Sequence, residues 1–361
     1  MPLWAAIRLC LAVAGQDKMG PDANGRQTPM TMQYRRLGRA GVKVGVLSLG
    51  SSLATFATEV DYNATLDLMS RARDAGVNYF DNAQSYGFGE GERAMGYALA
   101  ELGWPRDSYL VSTKFFWGLS ETVNAHHTLN RKFLMESMDK ALERYGLDTI
   151  DFVFCHRHDP ETAMEETVWA MSDIIESGRA HYWGTSEWPV EKIFEAIDIA
   201  ERHHLRKPVT EQPQYSMLHR SRVEREYAPL FEAHGYGTAT YSPLAGGLLT
   251  GKCLNGIPEG TRGTRRGYEW LRESLVDERF LEPVVNLIPI ADDLGCSLAQ
   301  LAIAWCASNP SVSTVITGAT RPSQVTDNMG ALDVLDQLTP DVMAAIEEAI
   351  DLGYPEFRGN P

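Results

Sequence analysis

At 361 residues with 44 % hydrophobic side chains, the chain can bury a sizeable core, as one large α/β barrel or as two smaller domains. A net charge of −15 argues against nucleic acid and anionic membrane surfaces as partners, although a small anionic ligand could still be held by locally gathered basic residues. The five cysteines (Cys10, Cys155, Cys253, Cys296 and Cys306) are odd in number and scattered, without a C-x-x-C pair, so they read as reduced thiols of a cytosolic protein.

Leu3 to Ala14 is apolar apart from Arg8, and Ala12-Val13-Ala14 resembles a secretory cleavage site. No basic residue precedes that run, and Arg8 interrupts it, so export is not expected. Residues 15–31 have the composition of a linker, and residues 1–31 read as a dispensable extension, or as sequence ahead of a true start at Met30 or Met32. No other stretch approaches the length of a membrane span.

The segment from Gln33 to Val44 alternates and turns at Gly38 to Gly41, which predicts a β-hairpin. Strands are then predicted at Val46–Gly50, Val77–Asp81, Tyr109–Lys114, Ile150–His156, His181–Ser186, Val209–Gln212, Gly237–Ser242 and Val312–Thr317. Between them, helical spacing marks Thr65–Ala75, Gly91–Leu102, Lys132–Tyr145, Ala163–Ser177, Pro189–His203, Arg222–His234, Pro283–Leu294, Leu298–Ala307 and Ser323–Met329. Pro189 is expected in a first turn, and a last helix at about Pro340–Leu352 has no strand after it. Eight β-then-α units in roughly 290 residues predict a (β/α)8 TIM barrel with an N-terminal hairpin and a C-terminal extra helix. A doubly wound sheet is the rival, but no G-x-G-x-x-G follows the first strand.

In a barrel, all strand C-terminal ends meet on one face, which would bring Asp81, Tyr86, Lys114 and His156 into one site. A tyrosine hydroxyl is a poor acid at neutral pH; a nearby ammonium stabilises its phenolate, and a carboxylate fixes the ammonium. A histidine across the site can donate to a carbonyl oxygen. Such a set protonates an alkoxide as it forms, which suits carbonyl reduction, whereas metal hydrolysis would need clustered ligands. No metal site is expected.

Phe80-Asp81-Asn82-Ala83-Gln84-Ser85-Tyr86-Gly87, Ser112-Thr113-Lys114-Phe115-Phe116-Trp117-Gly118 and the strand end at His156 resemble the tetrad motifs of the aldo-keto reductase superfamily, from about Tyr34 to Leu352. Lys114–Gly118, Pro160–Thr167, Tyr182–Ser186, Gly267–Leu271 and Leu301–Cys306 most resemble the branch containing voltage-gated potassium channel β-subunits. The resemblance implies Tyr86 as general acid, Lys114 and Asp81 as its tuning groups and His156 orienting the carbonyl. Asn82 stands where a threonine is usual and Gln84 where an acidic residue is common, neither of them a tetrad position. The channel subunits tend to carry Asn at the place of His156, so His156 favours an efficient reductase.

The resemblance further implies that Ser186 and Gln212 hold a nicotinamide carboxamide and that Tyr241 stacks on its ring. Ser242 to Lys252, with Leu244 and Gly246, resembles the family's pyrophosphate loop, and Arg262 stands where a family arginine clasps the cofactor. Gly318, Thr320, Arg321, Gln324, Asp327 and Asn328 follow the last strand and are implied to bind a 2′-phosphate and adenine, so NADPH is the expected cofactor. Trp117, Trp188 and the loop 117–130 are expected to shape the pocket for a small carbonyl substrate. The expected protein is a cytoplasmic, NADPH-dependent reductase of aldehydes or ketones. The alternative is a redox-sensing accessory subunit of a membrane channel. The channel-subunit likeness implies a homo-tetramer, the superfamily at large a monomer.

Overall fold

The computed structural model describes residues 31–52, 60–264, 269–351 and 357. The readings made on residues 1–30, including Cys10, on Gly267 and Tyr268, and on Leu352 lie outside the described residues. Among those described, the predicted hairpin is present: β1 (Tyr34–Arg36) pairs antiparallel with β2 (Lys43–Gly45). Eight strands follow: β3 (Leu47–Gly50), β4 (Tyr79–Asp81), β5 (Leu110–Phe115), β6 (Ile150–Cys155), β7 (Ala180–Thr185), β8 (Thr210–Glu211), β9 (Gly237–Thr240) and β10 (Val312–Gly318). They pair in parallel in chain order, and β10 closes the barrel on β3 from Val315 opposite Leu47 to Gly318 opposite Gly50. The (β/α)8 barrel expected from the repeating units is therefore the fold.

The hairpin packs on the barrel through side chains that alternate inward. Leu37 and Val44 belong to one buried cluster with Tyr79, Phe152, Phe154, Ala239 and Ile316, contributed by four barrel strands. Gly38 is needed where the hairpin turn meets β9: at φ +56, a Cβ there would stand 2.4 Å from the Gly237 nitrogen.

The barrel's helices are α1 (Tyr62–Asp74), α2 (Glu90–Leu102), α3 (Arg131–Tyr145), α4 (Met164–Glu176), α5 (Val190–Arg202) and α6 (Ala228–His234), then α7 (Glu269–Leu275), α8 (Glu278–Asp293), α9 (Leu298–Ser308), α10 (Pro322–Met329) and α11 (Pro340–Ile350). Their starts follow local caps: Asp61 accepts from Ala64 N, Asn130 from Phe133 N, and Ser297 forms a capping box with Gln300. No single helix among the described residues is long and apolar enough to cross a membrane.

Four expectations need correction. The helix predicted from Arg222 to His234 is broken into a π-type turn (Arg222–Glu226) and α6, because Pro229 has no N–H to continue the ladder. Helix α8 begins at Glu278, five residues ahead of Pro283, since Asp277 accepts a bond from Arg279 N and caps it there. Pro189 stands at the N-cap of α5 with ψ 138, one position before the first turn. The long segment between β9 and α8, where the spacing marks no helix, contains α7 and a short 3₁₀ turn at Ala245–Thr250.

Candidate active site

Period-two alternation puts Tyr79 and Asp81 of β4 on the same side as Ser112 and Lys114 of β5. Asp81 is the last residue of β4; Lys114 is followed by one more strand residue, Phe115; His156 comes directly after β6. The Lys114 ammonium is fully buried, 2.7 Å from Asp81 Oδ2, and it donates to the Asn82 carbonyl at 2.7 Å. It also reaches the Tyr86 hydroxyl at 3.4 Å, long for a hydrogen bond, with its nitrogen 4.9 Å from the Tyr86 ring centre. Burial by itself pulls the Lys114 pKa down; the charges of Asp81 and Tyr86 outweigh it and hold the ammonium above its ordinary range.

Asp81 is held by more than lysine. Its Oδ1 accepts from Ser112 Oγ at 2.8 Å, from Gln212 Nε2 at 2.9 Å and, more loosely, from Tyr79 Oη at 3.3 Å. Lys114, Ser112, Gln212 and Tyr79 thus satisfy a buried carboxylate that would be costly to leave unpartnered. Ser112 and Tyr79 were not singled out from sequence; the i, i+2 spacing to Lys114 and Asp81 is the signal that could have found them.

Tyr86 opens a tight turn, Tyr86–Gly89, in which Phe88 has φ 55 and leaves 84 % of its surface exposed. A left-handed phenylalanine is costly by roughly 1–2 kcal/mol, and such strain is found where a side chain must be aimed. Beneath the turn, Glu92 of α2 accepts from Thr113 Oγ1 and pairs with Arg144 of α3, both at 2.5 Å. Tyr86 and Trp117 each lie edge-on to His156, with ring centres 6.1 Å away. Burial, then the charges of Lys114 and Arg157, push the His156 pKa well below its ordinary range. A neutral imidazole has one ring N–H to donate and one nitrogen to accept, and Nδ1 is buried without a partner among the described residues.

The other residues predicted for the site divide by place. Ser186 follows β7 and donates to the Gln212 carbonyl at 2.8 Å, so these two are together at adjacent strand ends. Gln214 Nε2, two residues beyond Gln212, is buried without a partner among the described residues. Tyr241 follows β9 and is partly exposed; burial first, then the Glu187 charge, raise its hydroxyl far above the usual range. Trp117 is partly exposed, whereas Trp188 is fully buried against His158 and has no accessible surface. Asn82 bonds the Gly91 carbonyl and Gln84 bonds Ser137, so both serve packing around α2 and α3.

The loop after β9 is strained. Ser242 and Ala245 have φ 55 and 47, followed by Gly246 at 69 and Gly247 at 105. A Cβ on Gly247 would meet Lys252 Nζ at 3.0 Å, so the exposed lysine lies over this bend. Leu244 is partly exposed in the same bend, and Arg262 lies in a later short turn, Arg262–Thr264. After β10, Gln324 accepts from Thr320 N at 2.8 Å, and the buried Asn328 donates to the Gly318 carbonyl at 3.2 Å. Arg321, at the N-cap of α10, and Asp327 are exposed. A bent, basic backbone loop plus a helix start beside the last strand is a donor set that fits a phosphate-bearing nucleotide. A cleft of about 360 Å³ between Arg220, Glu224, Phe280 and Glu347 shares none of these residues.

The profile of the aldo/keto reductase family matches residues 44–351, which takes in every one of these positions. The chain belongs to the aldo/keto reductase family. Members of this family are oxidoreductases that bind a nicotinamide nucleotide, and this aldo/keto reductase has the polar strand ends and phosphate-compatible loops for that class of cofactor. It is 48 % identical over 321 residues to a protein of Oryza sativa subsp. japonica described as "Probable voltage-gated potassium channel subunit beta". A protein of Arabidopsis thaliana with the same description is also 48 % identical over 321 residues. Each alignment covers 88 % of this chain and 97 % of the relative.

Proposed function

We propose that this aldo/keto reductase is an NADPH-dependent reductase of aldehyde or ketone carbonyls, with Tyr86 as general acid. The observation that carries this reading is the buried Asp81–Lys114 pair in contact with the Tyr86 hydroxyl, facing a neutral His156. The reduced nicotinamide, when bound, supplies the hydride for the carbonyl carbon. His156 donates its ring N–H to the carbonyl oxygen and orients it toward Tyr86. As negative charge develops on that oxygen, the Tyr86 hydroxyl gives up its proton, and the Lys114 ammonium stabilises the phenolate left behind. Asp81 keeps Lys114 charged and in place. Ser186, Gln212 and Gln214 offer amide-sized partners at the strand ends. Tyr241 offers a ring face, and Ser242, Leu244, Gly246, Lys252 and Arg262 a pyrophosphate site. Gly318, Thr320, Arg321, Gln324, Asp327 and Asn328 would hold the 2′-phosphate and adenine. The catalytic unit in this reading is the barrel from residue 32 on, working in the cytoplasm. Steady-state assays of a carbonyl panel with NADPH and with NADH test it: turnover dependent on NADPH supports it, and none with any carbonyl overturns it.

A second reading has its own support in the names of the two plant relatives: an accessory subunit whose bound cofactor reports redox state to a membrane channel. His156 weighs for the enzyme, and overall similarity for the regulator. Co-expression with the cytoplasmic domain of a voltage-gated potassium channel, followed by sizing, distinguishes a stable complex from a free monomer or homo-oligomer.

A further inference from the structure

Arg157 follows His156 directly and is half-buried at the same strand end. Its guanidinium carbon lies 5.6 Å from the centre of the Trp117 indole, and one nitrogen donates to the His156 carbonyl at 2.7 Å. That indole in turn lies edge-on to His156 at 6.1 Å, which puts the arginine beside the proposed reduction site. Among the described residues no carboxylate lies within ion-pair distance of it. The nearby acids have other partners. Asp159 accepts from Thr128, Thr162 and the backbone of Leu129 and Glu161, and Glu187 is taken by Arg222 at 2.6 Å and by Gln214 N. A half-buried, unneutralised arginine is unusual in a chain carrying a net charge of −15. The ring of His127, 5.3 Å from Trp117, extends the same rim without adding negative charge.

We propose that Arg157, stacked on Trp117, binds an anionic group on the substrate, so that this site prefers carbonyl compounds carrying a carboxylate or phosphate over neutral ones. The inference rests on the reductase reading for its substrate but not for its anion site. The planar fork of arginine pairs two oxygens at once, and the indole holds that plane fixed while the reacting carbonyl reaches His156. Charge-assisted hydrogen bonds of this kind are worth about 10- to 150-fold in binding.

The test compares kcat/KM for the semialdehydes of succinate, glutarate and adipate with that for butanal, pentanal and hexanal, and for glyceraldehyde phosphate with that for glyceraldehyde. The wild type should favour the charged member of at least one pair by about 10-fold or more, and Arg157→Gln should bring that ratio close to unity. A preference confined to the phosphate pair assigns the anion as a phosphate ester. Equal kcat/KM within every pair, or a preference that survives in Arg157→Gln, overturns the proposal. Calorimetric titration of the cofactor-loaded protein with benzoate and with benzamide reads the anion site independently of turnover. If no carbonyl is reduced, benzoate binding that is lost in Arg157→Gln supports the anion site while the reductase reading fails, and absence of benzoate binding overturns the site as well.

Discussion

Gln212 Nε2 donates to Asp81 Oδ1 at 2.9 Å, joining two residues 131 positions apart. Asp81 thereby links the proton-transfer residues to the strand end proposed to hold the nicotinamide. In that proposal the proton donor and the cofactor site share one buried carboxylate.

Tyr86→Phe removes the hydroxyl and leaves the ring against His156 and Lys114. The variant should lose roughly 10²-fold or more in kcat for carbonyl reduction, the scale of general acid catalysis, with little change in cofactor affinity. Stopped-flow turnover and a cofactor titration check both halves. Near-normal turnover would remove Tyr86 from the mechanism.

Lys114→Met leaves Asp81 buried without its cation. Removing one partner of a buried pair costs roughly 3–5 kcal/mol, and Asp81→Asn in the same chain should restore part of it by removing the stranded charge. Urea unfolding of the single and double variants measures this. A double variant less stable than Lys114→Met would show that Asp81 is anchored mainly by Ser112 and Gln212.

Cofactor choice separates two cations. Arg321→Ala should weaken NADPH about 10- to 150-fold and NADH much less, while Lys252→Ala should weaken both if it serves the shared pyrophosphate. Binding titrations of each cofactor to each variant decide the matter. Equal losses for both cofactors in Arg321→Ala would leave the NADPH preference without its principal residue.

Glu211 of β8 predicts a pH dependence. Burial, with the Glu187 charge adding to it and Thr185 and Arg222 opposing it, raises its carboxyl from 4.5 to about 8. A folded-state pKa above the unfolded one means that the folded state binds the extra proton. The stabilisation this provides is complete below pH 4.5, falls as pH rises, and is gone above about 8. Glu211→Gln keeps a neutral side chain of similar shape. Its stability relative to wild type should climb with pH across that window by about 1.4 kcal/mol per unit and be flat on either side. The depressed His156 acts with the opposite sign, losing stability as pH falls below 6.5, and cancels in the difference. Thermal or urea unfolding at several pH values gives the curve; a flat difference would show that Glu211 ionises without penalty.

Removing residues 1–30 should leave fold and turnover unchanged, because the hairpin that packs on the barrel begins at Tyr34. Circular dichroism and the carbonyl assay on the shortened chain test this. Insoluble or inactive protein would show that the segment packs.

The sequence by itself determined the repeating strand–helix order and the strand ends that carry Asp81, Lys114 and His156. Those signals are local: apolar runs stop at a charge, caps and glycines end helices, and one order repeats along the chain. The local signals failed where a single residue overrode a periodic pattern, as Pro229 does in breaking the helix after β8, or where a cap set an earlier start, as Asp277 does for α8. Only the tertiary structure decided which donors surround Asp81, that Trp188 is sealed in the interior, that Glu92 and Arg144 lock the turn bearing Tyr86, and that Arg157 has no carboxylate partner among the described residues. Each of those depends on barrel closure and register, which bring distant strands to fixed heights, and no local periodicity encodes which side chains then meet.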